Sequence, residues 1–247
     1  MPTYSTKPDA FQQKTIVITG ASDGIGRQAA LSYAEHGANL VLLGRSTTKL
    51  KQLSSEIEQS FNTKNWFYSF DFDTATDNDY QDLAKQIETH SPTVDGLLHS
   101  AGLLGELTPL TETDMASFDQ LFRVNVRSNL RLTQVLWPLL ERAPAARILF
   151  TSSTVGHQGR ALWGNYAISK FAVEGMMQVL ADETKNTPIR VNAINPGATR
   201  TAMRAQAKPQ EDPGTLKTPL DIMPLYLYLM SPEMQDTHGQ CLDAQPK

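Results

Sequence analysis

Short apolar runs rich in branched residues alternate along the chain with longer stretches of helical period. Lys14–Gly20 (KTIVITG) predicts a first strand, and Ile25–His36 a helix stopped by Gly37. Asn39–Leu43 predicts a second strand, Thr47–Ser60 a helix rich in Lys, Glu and Gln, and Trp66–Phe70 a third strand. A helix is expected near Asp79–Thr89, then a fourth strand over Val94–Ser100. A long helical stretch runs from about Asp114 to Leu140, with Leu132, Val135, Leu136 and Leu139 on one stripe. Pro138 is expected to kink or end it. Arg147–Ser152 predicts a fifth strand, Asn165–Lys185 a helix, Ile189–Ile194 a sixth strand and Gln240–Asp243 a short last one.

Such alternation builds an α/β fold in which helices cover both faces of a doubly wound, mostly parallel sheet of the Rossmann type. No repeat or interdomain linker interrupts it, so residues 1–247 are expected to form one domain, with 1–13 as an N-terminal extension. The long irregular stretch Arg200–Pro219 follows the carboxyl end of a predicted strand, a place suited to a lid over a ligand crevice.

Composition narrows the class. Apolar residues make up 40% and charged residues 19%, as in a globular protein with a full core. Twenty-two basic side chains face 26 acidic ones, a net charge of -4 that supplies no broad attraction for nucleic acid or anionic lipid. The single cysteine, Cys241, excludes an internal disulfide and a cysteine-rich zinc site, and no spacing of ligands suggests another metal. The longest apolar run, Ile222–Met230, contains Pro224 and falls far short of the ~20 residues of a membrane span. The expectation is a cytoplasmic protein without membrane or nucleic-acid partners, acting on a small molecule.

The candidate chemistry begins at Thr19-Gly20-Ala21-Ser22-Asp23-Gly24-Ile25-Gly26, between the first strand and the first helix. Glycines there let a diphosphate approach the backbone, and the helix start offers free N–H groups and a positive dipole end. The spacing T-G-x-x-x-G-x-G resembles that of the short-chain dehydrogenase/reductase family, and the resemblance extends from about Lys14 to Asp243. Within that family the chain looks closest to a group of bacterial oxidoreductases, through T-S-S-x-V-G-x-Q-G-R-A, R-T-A-M-R-A and D-A-Q-P.

The second strand ends Leu43-Gly44-Arg45-Ser46, with no acid to bind ribose hydroxyls. Arg45 stands where a relative would hold a 2′-phosphate, which favours NADP(H) over NAD(H). Lys49 could add charge; Asp23, where many NADP-dependent relatives carry a base, runs against it, and Arg27 could compensate only by folding back. Asp71 matches the position that contacts the adenine amino group, or else serves its own loop.

Tyr166 and Lys170 lie four residues apart, on one face of a helix. An ammonium close to a phenol favours the phenolate, and a fall of about three units from 10 is worth about 4 kcal/mol. Lys170 is therefore expected to bring Tyr166 toward neutrality as a proton donor and acceptor. The resemblance selects Ser153, 13 residues before Tyr166, over its neighbour Ser152, and makes Asn125 a fourth catalytic member that helps hold a water linked to Lys170. It also assigns Ser100, Ala101 and Gly102 to the adenine-ribose side, although the family's N-N-A-G is here His99-Ser100-Ala101-Gly102, with His99 read as structural. Pro196, Gly197, Thr199 and Thr201 fall in the segment that holds the nicotinamide carboxamide, and the usual V-D-G-G ending is replaced by Leu242-Asp243-Ala244-Gln245. The substrate pocket is expected to draw on Leu103, Leu104, His157, Trp163 and the 200–219 loop.

The resemblance implies hydride transfer between NADP(H) and a carbonyl or secondary alcohol by a homodimer or homotetramer. A 3-oxoacyl thioester reductase is a narrower alternative. A non-catalytic nucleotide sensor on the same fold is another, and it would be expected to lose the Tyr-Lys pair that this chain keeps.

Overall fold

The computed structural model describes residues 6–234 and 236–246. Seven strands form one sheet: β1 Thr15–Thr19, β2 Asn39–Gly44, β3 Asn65–Ser69, β4 Gly96–His99, β5 Arg147–Thr151, β6 Arg190–Asn195 and β7 Cys241–Asp243. Their spatial order is β3-β2-β1-β4-β5-β6-β7 and every pairing is parallel. The order reverses between β1 and β4, so the loops leaving those two strands part and open a crevice at their carboxyl ends.

Parallel strands covered on both faces read as continuous apolar runs, and β1 is buried at all five positions. Successive side chains still divide between the faces. Val17, Val41, Leu43, Leu97, Ile148 and Val191 pack with α3 Asp77–His90, α5 Ser128–Glu141 and α6 Gly164–Thr184. Ile16, Ile18, Leu40, Leu42 and Leu98 pack on the other face with α1 Gly24–Glu35, α2 Thr47–Ser60 and α8 Met223–Met230. Truncating one such side chain to Ala costs about 2–5 kcal/mol.

Three expectations change. The fourth strand is shorter than Val94–Ser100: ahead of it Asp95 keeps backbone bonds to Thr15 and Arg147 at 2.9 Å each, while its carboxylate accepts the Thr15 N–H at 3.0 Å and the Lys14 ammonium at 3.1 Å. The long helix is interrupted well before Pro138: α4 Met115–Phe122 leads into a π-helical turn, Arg123–Arg127, and then α5. Pro138 lies inside α5, which continues to Glu141 because Leu132, Leu136, Leu139 and Leu140 bury its inner face around the missing hydrogen bond. The apolar run with Pro224 is helix α8, since in a first turn the proline's lost N–H is one that needs no helical partner.

The supposed N-terminal extension is in part core. Residues 1–5 lie outside the described residues, but Phe11 is 1% exposed and meets Tyr33 edge-on at 5.4 Å. The 200–219 stretch is also more regular than expected. It carries α7 Ala202–Ala207, begun by Thr201, whose hydroxyl accepts the Arg204 N–H at 3.2 Å. Arg200 N–H bonds Lys217 carbonyl at 2.8 Å and closes the base of the loop, while Arg204 grips Glu211 with two contacts of 2.5 Å.

Candidate active site

A cleft of about 460 Å³ opens at the carboxyl ends of the central strands. It gathers segments that are far apart in the chain: Gly20–Gly26, Arg45, Asp71, Ser100–Gly102, Ser153, Tyr166, Lys170 and Pro196–Ala207.

The glycine segment is shaped by close approach. Gly20 has φ +67°, and a Cβ there would stand 2.8 Å from the Ala101 nitrogen. A Cβ on Gly26 would meet the Gly20 carbonyl oxygen at 2.4 Å, so this turn closes only without side chains. Gly24 also has positive φ, and with Ser22 and Ile25 it lines the cleft where α1 begins. The close-fitting glycines and the helix start suit a diphosphate. Asp23 caps α1 by accepting the Gly24 N–H at 2.8 Å, and its carboxylate takes the Lys49 ammonium at 2.5 Å. The Lys49 hydrogen bond holds its pKa below the usual carboxylate range.

That pair explains the acid at the basic position. Lys49 is engaged with Asp23, and Arg27 reaches Glu56 on α2 rather than folding back to the cleft. Arg45 is exposed at the cleft edge, and its guanidinium has no hydrogen bond or ion pair among the described residues. Its carbonyl accepts the Ser69 hydroxyl at 3.0 Å, which fixes the backbone while the cation stays available. Asp71 lines the cleft with one oxygen accepting the Asp73 N–H at 3.0 Å, so it serves its loop and faces the site at once.

Thr19 does more than open the motif. Its hydroxyl accepts the N–H groups of Ser100 and Ala101 at 2.9 and 3.0 Å, pinning the β4 loop to β1. His99 is structural: it is buried, stacks on Phe150 at 4.7 Å, bonds Thr133 at 2.9 Å, and burial drives its pKa down to about 3.

On the opposite wall stand Ser153, Tyr166 and Lys170. Tyr166 and Lys170 project from α6, with the ammonium 5.5 Å from the centre of the phenol ring. Lys170 is 5% exposed and donates to the Thr151 carbonyl at 2.7 Å, at the end of β5. Burial pushes its pKa down to about 8, with Glu174 partly opposing. Tyr166 departs from expectation: burial pushes its pKa up to about 12, and a hydrogen bond with Ser153 only partly offsets this. The nearby ammonium does not overcome the loss of water around the phenol. Ser152 and Ser153 both border the cleft, and Ser153 is the one that hydrogen-bonds Tyr166. Ser152 is buried, and its hydroxyl donates to Glu174.

Asn125 sits in the π-helical turn, behind the cleft rather than on its wall. Its Oδ1 accepts the Leu103 N–H at 2.7 Å, and its Nδ2 donates to the Leu103 carbonyl and Ser169 at 2.9 and 3.1 Å. The side chain is thus a clamp on the β4 loop. Gly102 lies between it and the lysine: a Cβ there would stand 3.4 Å from Asn125 Oδ1 and 3.9 Å from Lys170 Nζ.

The Pro196–Thr201 turn is held by Gln245, which the sequence showed only as a departure from pattern. Its amide nitrogen donates to the carbonyls of Pro196 and Ala198 at 2.9 and 3.1 Å and to Thr199 Oγ1 at 3.2 Å. The apolar wall consists of Leu103, Leu104, Trp163, Met203 and Ala207. His157 is not part of it: the chain turns after Gly156, and the imidazole points to Glu174 at 3.4 Å.

The family model described as short chain dehydrogenase matches residues 14–212. The chain is 51% identical over 243 residues, 98% of its length and 96% of the relative's, to the uncharacterized oxidoreductase YciK of Escherichia coli K12. That is the bacterial group its signature stretches resemble. A putative short chain dehydrogenase of Escherichia coli CFT073, solved with NADPH, superimposes with a TM-score of 0.95 at 51% identity, covering 98% of this chain and 100% of that one. A counterpart from Shigella flexneri 2a, solved with NADP, gives 0.94 at 50% identity, covering 97% and 100%.

Proposed function

The chain belongs to the short-chain dehydrogenase family, and from that premise we propose that it is an NADP(H)-dependent reductase of carbonyl groups or, in reverse, a dehydrogenase of secondary alcohols. The observation that carries this reading is the convergence of Ser153, Tyr166 and Lys170 on one wall of the cleft whose other wall is the glycine cradle.

The residues present fit the cofactor: the cradle is bare where a diphosphate would lie, and Arg45 offers an unengaged cation for a 2′-phosphate. When bound, NADP(H) supplies or accepts the hydride at its nicotinamide. Ser153 and Tyr166 hydrogen-bond the carbonyl oxygen, and Tyr166 donates a proton as negative charge develops there. A phenol with a pKa near 12 is fully protonated at neutral pH and ready as the donor in reduction. Lys170 orients the ribose side of the site and restores the proton to Tyr166. The Asn125 clamp keeps the Leu103 loop and the π-helical turn at the spacing that this handover needs.

Trp163, Leu104, Met203 and Ala207 favour a carbonyl flanked by apolar carbon. Arg204, the cation on that side, is already paired with Glu211. No helix among the described residues is long and apolar enough to cross a membrane. The exposed Ile168, Phe171 and Val179 on α6, with Leu130 on α5, form a face for a second copy of the chain. The test is a panel of ketones and 3-oxoacyl thioesters followed by nicotinamide absorbance with NADPH and with NADH. Turnover with NADPH that vanishes in Tyr166→Phe supports the reading. A tenfold preference for NADH would overturn the role of Arg45.

A further inference from the structure

Outside the cleft, three residues remote in sequence bring different ligand atoms together. His157 follows the turn Thr154–Gly156, Glu174 is one helical turn beyond Lys170 on α6, and Cys241 opens β7. His157 Nδ1 and Cys241 Sγ each lie 3.4 Å from the same carboxylate oxygen, Glu174 Oε1, and all three atoms are within 4.8 Å of one another. We propose that His157, Glu174 and Cys241 form a binding site for a thiophilic divalent cation of the zinc type.

The spacing is what such an ion requires. Bonds of about 2.3 Å to sulfur and 2.0–2.2 Å to nitrogen and oxygen at tetrahedral angles give ligand-to-ligand edges of roughly 3.3–3.7 Å. Two edges of the triad already meet that length. One thiol, one imidazole and one carboxylate suit zinc or cobalt and not magnesium or calcium, which need about six oxygens. Three protein ligands leave a fourth position for water.

The surroundings are arranged for the carboxylate. Ser152 donates its hydroxyl to Glu174 Oε1, an outer contact of the kind that orients metal ligands. A Cβ on Gly156 would stand 2.5 Å from Ser152 Oγ and 2.6 Å from Glu174 Oε1, so the glycine keeps this space open. The His157 side chain is 49% exposed and provides an entry path to a carboxylate that is only 9% exposed. Without a cation, burial and the neighbouring carboxylate hold the Cys241 thiol protonated, its pKa pushed up to about 12. Binding therefore replaces the S–H bond with a metal–sulfur bond and releases one proton to solvent. The site plays no part in hydride transfer.

Cobalt(II) titration of the purified full chain tests this, because a thiolate–cobalt bond gives a near-ultraviolet charge-transfer band and tetrahedral cobalt gives strong visible bands. Cys241 is the one cysteine of the chain, so the charge-transfer band reports this site alone. One equivalent per chain is expected to produce both bands, and zinc to displace them. Cys241→Ser should lose the charge-transfer band while keeping the far-ultraviolet circular dichroism and NADPH binding of the parent. His157→Ala, a change at a half-exposed position, should weaken cobalt binding beyond the roughly 10–100-fold typical of losing an outer contact. Absence of the band in the parent at millimolar cobalt, or unchanged affinity in His157→Ala, would overturn the proposal. Neither outcome bears on the reductase reading, which the NADPH assays address separately.

Discussion

The Lys170 ammonium is bound to the main-chain carbonyl of Thr151 at 2.7 Å, a bond that joins the helix carrying Tyr166 and Lys170 to the end of the strand that leads to Ser153. Burial holds this ammonium at a pKa near 8, below the ordinary 10.5. It is charged through the neutral range and loses its proton as pH rises past 8. The rate of carbonyl reduction, kcat/KM, is expected to be level below about pH 8 and to fall above it. A profile level to pH 10 would remove Lys170 from proton transfer. Because the unfolded chain keeps this proton up to 10.5, the Lys170 contribution to folding stability becomes more favourable as pH rises from 8 to 10.5. Urea titrations of parent and Lys170→Met across that window measure it as a slope that the variant lacks.

Tyr166→Phe removes the proton donor and one hydrogen bond to the substrate oxygen but leaves the ring against Trp163, 6.0 Å away. Loss of a positioned acid costs about 10²–10⁴ in rate. NADPH binding, followed by energy transfer from the tryptophans, is expected to be unchanged. Ser153→Ala should lower kcat and spare NADPH binding in the same way.

Arg45 is the available cation at the edge of the cradle, since Lys49 is held by Asp23 and Arg27 by Glu56. Charge-assisted hydrogen bonds contribute about 1.5–3 kcal/mol, so Arg45→Ala should weaken NADPH about 10–150-fold. NADH, lacking the phosphate, should be affected little. Equal loss for both cofactors in direct binding titrations would place the arginine elsewhere in the scheme.

Gln245→Glu is nearly isosteric but cannot donate to Pro196, Ala198 and Thr199. The amide has two hydrogens shared among these three acceptors, and two partly buried hydrogen bonds at about 0.5–1.5 kcal/mol each predict a loss of about 1–3 kcal/mol, read by thermal unfolding. NADPH and NADH affinities should fall together if the turn holds, as proposed, the nicotinamide end that both cofactors share.

Phe171→Asp together with Val179→Asp places two charges on the exposed apolar face of α6. Sedimentation is expected to show a smaller assembly than the parent. An unchanged mass would move the association surface elsewhere.

Strands such as Ile16–Ile18 and Leu40–Leu43 were legible because buried parallel strands have no polar face, and helices such as Thr47–Ser60 because Leu50, Leu53 and Ile57 recur on one face, whereas α8, apolar all round, has no stripe to read. The glycine turn, Tyr166 and Lys170 were legible because each is a local spacing. What local spacing cannot show is a partner from a distant segment. Asn125 was found by its resemblance, but its bond to Leu103 follows from a π-helical turn that no periodicity announces. His157, expected in the pocket, lies only four residues past Ser153, yet a turn ending at Gly156 carries it to Glu174. The upward pKa of Tyr166 was missed because spacing reveals a neighbouring charge but not the removal of water.

The π-helical turn at Arg123–Arg127 has a consequence for how the chain can diverge. Its wide hydrogen bond, from the Ser128 N–H to the Arg123 carbonyl, accommodates one residue more than a regular helix would. The wide turn takes up that residue within itself, so α4 and α5 keep the phase they would have in a regular helix one residue shorter. Deleting a single residue there should yield a straight helix with the leucine stripe of α5 still on the sheet. The cost would fall on Asn125, whose place in the wide turn sets its two bonds to Leu103. The surplus residue therefore aims one amide at its loop and leaves the helices on either side undisturbed.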